Sequence, residues 1–366
     1  MPSRHAARVP RSPARRAGTR AAASPDRSRL DQVARLAAVS PATVSRALNR
    51  PELVAAATLS RVRAAVDKLQ FVRHAGARAL SSGRSHVIGA LIPHIGYSVF
   101  AELMDAVQQQ CTQAGYNLVI GIYHFDAEDE LRQARQLVNS GVDALMLVGF
   151  RHHPELFELL AARGVHYVCT DVFDPKSPHP SVGYDNRGIG RRVAAYLLGL
   201  GHREFAVVTG DTRRNDRMAT RLAGFKAELR RNGLALAEGA LFKGDYTLAD
   251  GRAGFAQVIG TNPTAVVCGN DVIAVGALLE ARDRGIAVPR QLSMIGFDNL
   301  EWASEYSPAL TTVNVPCTTM GVQAAQALLA RIEGGVSPHA VEITLDIVVR
   351  ATTAAPREPA RRRLRA

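Results

Sequence analysis

The sequence predicts a small α-helical domain followed by a larger α/β body of two lobes, each with a doubly wound parallel sheet. Two periodicities carry this prediction. Between Leu30 and Phe71, apolar residues recur at helical spacing in three short segments. From Val87 onward, continuous apolar runs alternate with amphipathic segments. That second pattern is typical of parallel strands buried on both faces by helices.

The uneven charge separates the same two parts. The chain of 366 residues carries a formal net charge of +12. Residues 1–84 contribute +13, residues 85–350 contribute −5 and residues 351–366 contribute +4. A basic module on a mildly acidic body predicts a polyanionic partner at the N-terminal end, either nucleic acid or an anionic membrane surface.

Both ends of the chain are predicted to be basic disordered tails. Residues 1–27 contain seven arginines and one acid, and residues 351–366 are similarly basic. The N-terminal segment lacks the apolar core of a secretory signal, and its composition resembles an organelle transit peptide. Disorder is the favoured interpretation, because so little apolar surface cannot stabilise a fold. No apolar run of about 18 residues occurs, so no membrane span is predicted.

Catalytic and metal sites are not indicated by any motif. The sequence has no P-loop, no Gly-x-Ser-x-Gly elbow and no His-Glu-x-x-His. The four cysteines are far apart, which predicts reduced, buried thiols rather than metal ligands or a disulfide framework; they are Cys111, Cys169, Cys268 and Cys317. We therefore predict no catalytic residue, no metal and no cofactor.

The three N-terminal helical segments each show one apolar stripe. The stripes are Val33, Ala34, Leu36 and Ala37, then Val44, Ala47 and Leu48, then Val62, Val66 and Leu69. In the second segment, Ser40 is a good N-cap, and Pro41 suits the first helical position because it needs no N–H partner. The turn at residues 38–40 and the preceding helix complete a predicted helix-turn-helix. The alternative is an ordinary helical hairpin.

The other face of the second helix is suited to a DNA major groove. It presents small and polar residues, namely Ala42, Thr43, Ser45, Arg46 and Asn49. Ala42 can contact a thymine methyl group, and Arg46 can reach a guanine edge or a phosphate.

In the body, eight apolar runs are predicted as strands and seven segments between them as helices. The strands are residues 87–92, 118–123, 144–148, 165–170, 205–209, 265–268, 293–297 and 311–315; the helices are residues 100–114, 128–139, 189–198, 221–231, 248–259, 272–284 and 320–332. Asp171, Asn270 and Asp298 each follow a strand, where open α/β sheets bind ligands. Asp271 is equally expected to cap the next helix.

The stretch VARLAAVSPATVSRALN at residues 33–49 resembles the DNA-binding domain of the lactose-repressor/galactose-repressor (LacI) family. The resemblance continues through short motifs to about Arg350; they lie at residues 61–62, 69–71, 77–80, 82–85, 182–186, 201–203, 221–225, 269–271, 296–299 and 310–313. It implies a body like a periplasmic binding protein, with two lobes around an effector cleft.

The resemblance also implies how DNA is read. Residues that would contact it are Ser40, Pro41, Ala42, Thr43, Ser45, Arg46, Asn49, Arg61, Arg78 and Leu80. Leu80 matches the family's hinge-helix leucine, which enters the minor groove and kinks the duplex. Three departures from the family pattern concern the turn and the hinge: Ala38 replaces a glycine, Arg73-His74 replaces Pro-Asn, and Gly76 replaces a larger apolar residue.

The effector-contacting positions implied by the resemblance are Phe100, Asp171, Arg221, Tyr246, Asn270 and Asp298. Asp298 with Arg221 suits a sugar-like diol. Arg217 beside Arg221 leans toward a sugar acid, while a nucleobase or another metabolite stays open. Trp302 and His94 are equally expected to line the cleft or to pack within a lobe.

The expected domains are a helix-turn-helix at residues 28–72, a hinge at 73–85 and an effector domain at 86–350. Its N-lobe is placed at 86–184 plus 314–345, and its C-lobe at 185–313. The resemblance implies a cytoplasmic bacterial homodimer that binds a pseudopalindromic operator and releases it when effector binds. Alternatives are corepression by the effector, a cytoplasmic enzyme with an accessory DNA-binding domain, and a ligand-binding module without regulation.

Overall fold

A computed structural model describes residues 25–71 and 83–357 of the chain. The chain divides into two compact units, Met1–Arg84 and Ser85–Ala366. Within the described residues, no helix has the length and apolar character needed to cross a membrane.

The described residues of the N-terminal unit form three α-helices around a small core. They are α1 (Pro25–Ala37), α2 (Pro41–Asn49) and α3 (Ala56–Lys68), with a 3-10 turn at Pro51–Leu53. The core side chains come from all three helices and comprise Val33, Ala34, Ala37, Val44, Ala47, Val62 and Ala65. Helix α1 begins three residues inside the predicted disordered tail. Leu36 and Leu69 belong to the predicted apolar stripes, but they are 45% and 40% exposed. Neither leucine is part of the core of the three helices.

The turn between α1 and α2 has a left-handed residue where the family has glycine. Ala38 has φ of 50°. Its N–H donates to Arg35 O at 3.2 Å, and the N–H of Val39 donates to Ala34 O at 3.0 Å. This pair of hydrogen bonds is a Schellman ending, which satisfies the last carbonyls of the helix.

The body contains two six-stranded sheets. Their strands are β1 (Val87–Ile92), β2 (Asn117–Ile122), β3 (Ala144–Val148), β4 (His166–Thr170), β5 (Ser181–Gly183), β6 (Phe205–Gly210), β7 (Leu241–Gly244), β8 (Ala265–Cys268), β9 (Ser293–Asp298), β10 (Thr311–Asn314), β11 (Ala340–Glu342) and β12 (Asp346–Val348). The first sheet has the order β11-β5-β4-β3-β1-β2, and the second has the order β12-β10-β9-β8-β6-β7. All pairings are parallel except that of β12 with β10.

Helices cover both sheets. They are α4 (Ser98–Gln113), α5 (Ala127–Asn139), α6 (Pro154–Arg163), α7 (Asn186–Gly199), α8 (Asp216–Arg231), α9 (Leu248–Val258), α10 (Asp271–Asp283), α11 (Trp302–Glu305) and α12 (Cys317–Ile332). Each of the eight predicted apolar runs forms a strand. The sequence analysis missed β5, β7, β11, β12 and α11, because each spans only three or four residues. It also missed α6, which has ten residues.

The chain crosses between the lobes three times, after β5, after β10 and between β11 and β12. The third crossing corrects the predicted C-terminal boundary. Thr352 is fully buried in the second lobe. Its hydroxyl donates to Met294 O at 2.7 Å and accepts the N–H of Thr311 at 2.8 Å. The second lobe therefore includes residues beyond 350, and the predicted tail does not begin at residue 351.

Candidate functional site

Helix α2 begins with the predicted cap. The hydroxyl of Ser40 accepts the N–H of Thr43 at 3.1 Å, and Pro41 occupies the first turn. Buried Val44 and Ala47 fix the helix to the core. The start of the helix is therefore held rigidly by its cap and its core contacts.

The opposite face of α2 carries the predicted DNA contacts. Ala42, Arg46 and Asn49 are exposed, while Thr43 and Ser45 are half-buried. The amide of Asn49 donates to the Ser45 hydroxyl at 3.3 Å. The structure thus gathers the small and polar side chains onto one accessible surface. Arg61 is exposed on α3, where its guanidinium donates to the Thr58 hydroxyl at 3.5 Å. The predicted hinge contacts Arg78 and Leu80, and the departures Arg73, His74 and Gly76, lie outside the described residues.

The six predicted effector positions line one cleft between the two lobes of the body. Phe100 lies on α4 and Arg221 on α8. Asp298 is the last residue of β9, Asn270 caps α10, and Asp171 and Tyr246 follow β4 and β7. The cleft forms at the carboxyl ends of parallel strands, as expected for open α/β sheets.

Asp171 contributes an acceptor that has no partner among the described residues. Its Oδ1 accepts the Tyr184 hydroxyl at 3.5 Å, but its buried Oδ2 makes no hydrogen bond. The backbone has φ of 62°, a conformation that is uncommon for a residue with a side chain. Burial raises the pKa of the Asp171 carboxyl. A ligand hydroxyl or N–H is the partner that this oxygen lacks.

Arg221 contributes a donor without a partner in the part of the chain that the structure describes. Its Nη1 donates to Gly269 O at 3.3 Å and its Nη2 to Asn186 Oδ1 at 3.1 Å, while the buried Nε is unbonded. The guanidinium carbon lies 3.2 Å from the centre of the Phe297 ring, a cation–π contact. Burial lowers the pKa of Arg221.

Asp298 is a strained and desolvated carboxyl at the end of β9. Its backbone has φ of 114°. Burial raises its pKa well above the ordinary value, the Asp271 carboxyl adds to this shift, and Arg221 opposes it. Strained residues of this kind are concentrated at ligand sites.

The helix cap at the start of α10 is Asn270 rather than Asp271. The side-chain oxygen of Asn270 accepts the N–H of Ile273 at 2.9 Å. The Asp271 carboxylate instead accepts the Thr312 hydroxyl at 2.6 Å and the N–H of Leu300 at 2.9 Å. Burial raises the pKa of Asp271 to about 6. Asp271 therefore holds the segment that follows Asp298.

Two aromatic residues that line the cleft, Tyr97 and Phe125, were not predicted from the sequence. The Tyr246 ring lies 5.4 Å from Tyr97 and 6.1 Å from Phe125, and both neighbours line the cleft. The amide of Asn215 donates to the Tyr246 hydroxyl at 2.8 Å. Tyr97 and Phe125 lie shortly after β1 and β2, so their positions after strands could have indicated them.

The two residues left undecided from the sequence lie away from the cleft lining. His94 stacks behind Tyr97 with a ring separation of 4.5 Å, and its Nδ1 accepts the N–H of Gly96. Trp302 begins α11 and is 37% exposed. His94 thus supports a cleft residue, and Trp302 has a surface position.

A second set of polar contacts joins the lobes beside the cleft. The Asp216 carboxylate accepts the N–H groups of Phe150 at 2.7 Å and Arg151 at 3.1 Å. Buried Arg217 donates to Val148 O at 3.1 Å and pairs with Asp216 at 3.2 Å. Arg217 is therefore engaged in joining the lobes.

Both parts of the chain match known families. Residues 29–74 match the model for bacterial regulatory proteins of the lacI family, and residues 194–353 match that for a periplasmic binding protein-like domain. The HTH-type transcriptional repressor PurR of Klebsiella pneumoniae is 33% identical over 307 residues, which cover 83% of this chain and 90% of PurR. The chain belongs to the lacI family. It is a DNA-binding transcriptional repressor with an effector-binding domain, and the alternative of an enzyme is set aside.

Two solved structures of transcription regulators show the same architecture. The lac repressor dimer bound to operator and the anti-inducer ONPF has a TM-score of 0.79 and 26% identity, with 88% of this chain and 98% of that chain covered. The transcriptional regulator CelR in complex with cellobiose has a TM-score of 0.65 and 26% identity, with 88% of this chain and 99% of that chain covered.

Proposed function

We propose that this lacI-family protein is a homodimeric repressor that releases a pseudopalindromic operator when a neutral, hydroxyl-rich ligand fills the interlobe cleft. One observation carries the ligand assignment: a buried acceptor without a partner, Asp171 Oδ2, and a buried donor without a partner, Arg221 Nε, belong to side chains of the same cleft. A sugar or polyol hydroxyl can both donate and accept.

The charge balance of the cleft supports a neutral ligand over a sugar acid. Asp171 and Asp298 share the cleft lining with two guanidinium groups, and one of these, that of Arg217, is already paired with Asp216. An anionic ligand would place a further negative charge beside two carboxyls whose pKa values burial already raises, which is unfavourable in a desolvated cleft. The aromatic rings of Tyr97, Phe125 and Tyr246 offer apolar surface to the carbon face of a sugar ring. The cellobiose complex of CelR supports the same class.

DNA recognition is assigned to α2. Its exposed Ala42 and Arg46 lie on the face opposite the core, and the helix is short enough to enter a major groove at its capped end. The N-terminal unit of each protomer would read one half of the operator. The lac repressor is likewise a dimer on its operator. We infer that the protein acts in the bacterial cytoplasm, where its DNA lies.

The test begins with DNA selected by the full-length protein from a random library. Binding of this operator is measured by fluorescence anisotropy for the wild type and for Arg46→Ala, with Arg63→Ala on the exposed side of α3 as the matched control. Loss of one base-reading arginine weakens binding by about 1–3 kcal/mol and relaxes the base preference. Equal losses in both variants would contradict the assignment of α2.

The effector is sought by thermal shift with neutral sugars and polyols, sugar acids and nucleobases. We expect a neutral sugar or polyol to stabilise the protein and to weaken operator binding at least tenfold. If the ligand tightens operator binding, the protein is regulated by corepression and not by induction. If the ligand is a nucleobase or a sugar acid, the proposed ligand class is wrong.

A further inference from the structure

A small cavity lies inside the second lobe, where residues of α7 and α8 face residues of β6, β8 and β9. Its volume is about 30 Å³. One water molecule needs about 10–15 Å³ of such space, so about two non-hydrogen atoms fit. The larger apolar side chains of the lining are Val193, Val207, Leu222, Phe225 and Phe297. The cavity therefore suits a small group that has apolar surface.

This cavity adjoins the effector cleft. Met218, Arg221 and Gly269 line both of them. A Cβ at Gly269 would lie 2.8 Å from the Thr209 hydroxyl oxygen and 3.1 Å from Met218 Cε. A larger residue at position 269 would thus occupy the space beside the Thr209 hydroxyl, which the glycine leaves open.

Two buried polar groups of the lining have no hydrogen-bond partner among the residues that the structure describes. Thr209 is 1% exposed, and its Oγ1 makes no hydrogen bond. The Nε of Arg221 is also buried and unbonded. Leaving buried donors and acceptors unpaired is unfavourable. These groups therefore indicate that a polar atom from outside the chain completes this site, which we call the Thr209 cavity.

We propose that the Thr209 cavity receives the exocyclic hydroxymethyl group of a sugar bound in the cleft. A hydroxymethyl group has two non-hydrogen atoms, which match the space. Its carbon would pack against the apolar lining, and its oxygen can accept the Nε–H of Arg221 and donate to Thr209 Oγ1. The proposal rests on the proposed function in taking a neutral sugar as the ligand, and it narrows that class to sugars with a free hydroxymethyl group.

The first test compares sugars that differ only in hydroxymethyl groups. D-Glucose is paired with D-xylose, D-galactose with L-arabinose, and cellobiose with xylobiose, and calorimetry measures the affinity of each for the full-length protein. In a pair that binds, we expect the member with the hydroxymethyl group to bind at least about tenfold more tightly. Equal affinities within such a pair would overturn the proposal.

The variant Thr209→Val tests the hydroxyl itself, because valine has nearly the same shape as threonine. We expect it to weaken binding of the hydroxymethyl sugar about three- to tenfold. The affinity of the paired sugar without this group should not change. Equal losses for both sugars, or a loss for neither, would contradict the assigned contact.

Thermal unfolding without ligand separates a binding role of Thr209 from a structural one. Thr209→Val should keep or raise the melting temperature, because it removes a buried hydroxyl that has no partner in the described chain. The matched control is Thr311→Val, at a fully buried strand residue whose Oγ1 accepts the N–H of Arg350 at 2.9 Å. This control should lower the melting temperature. An equal fall in both variants would show that the Thr209 hydroxyl serves the fold.

A final test needs no sugar, so it separates failure of this proposal from failure of the proposed ligand class. Methanol, which has the same two non-hydrogen atoms, is titrated into protein with carbon-13 methionine methyl groups. We expect a saturable shift of the Met218 signal, of millimolar or weaker affinity, which Thr209→Val diminishes. Met104, buried on α4 of the first lobe, is the reference. If Met218 responds only as Met104 does, the cavity is a packing void and the proposal is wrong.

Discussion

At the scale of single residues, the position of the cleft carboxyls was predictable from the sequence, but their conformation and hydrogen bonding were not. Asp171 and Asp298 were predicted because each follows an apolar strand, and the ends of parallel strands meet at one edge. Their positive φ angles, 62° and 114°, and the unbonded Asp171 Oδ2 had no signal in the sequence. Backbone strain and hydrogen-bond satisfaction depend on neighbours that are distant in the chain.

Asp298 is expected to destabilise the folded protein in exchange for its role in binding. Its raised pKa means that the folded state binds more protons than the unfolded state, so stability falls as pH rises above the ordinary carboxyl pKa of about 4. Asp298→Asn removes this penalty. We expect it to stabilise the body at pH 7.5, with little effect at pH 4, and to weaken effector binding.

Thermal unfolding at the two pH values measures this effect. The control is Asp346→Asn, which changes a carboxylate whose side chain is 76% exposed. An equal gain for Asp298→Asn at both pH values would exclude the proposed burial penalty.

At the scale of elements, the helix-turn-helix was predictable because its signals are local. The Ser40 cap, Pro41 and the spacing of Val44 and Ala47 act within one or two turns. The exposure of Leu36 and Leu69 was not predictable. An apolar stripe shows which side of a helix is buried, but not how much of that side the neighbouring helices cover. The short strands β5, β7, β11 and β12 were missed for a similar reason, since their pairing partners define them.

The turn before α2 provides a test at this scale. Ala38 has φ of 50°, where a side chain costs about 1–2 kcal/mol relative to glycine. Ala38→Gly should therefore slow hydrogen exchange in α1 and α2, with a gain of about 0.5–1 kcal/mol after the entropy of glycine in the unfolded chain is subtracted.

The control for this turn is Ala64→Gly, at an exposed position inside α3. It should lose about 1 kcal/mol because glycine is unfavourable in a helix interior. Losses in both variants would show that the left-handed turn carries no penalty.

At the scale of the whole molecule, the repressor links two binding events through one chain. If effector weakens operator binding by a given factor, operator must weaken effector binding by the same factor. Calorimetric titration of the effector, with and without saturating operator, should reproduce the factor found by anisotropy. Unequal factors would show that a further equilibrium, such as dimer dissociation, takes part.

The sequence alone determined the helix-turn-helix, the two α/β lobes and the carboxyl-rich strand ends, because cap residues, periodicity and strand order are local or topological. Only the tertiary structure decided that Asn270 rather than Asp271 is the cap, that Arg217 joins the lobes, and that Thr352 belongs to the second lobe. Each of these depends on which buried polar groups come within hydrogen-bonding distance, and that is set by packing between segments far apart in the chain.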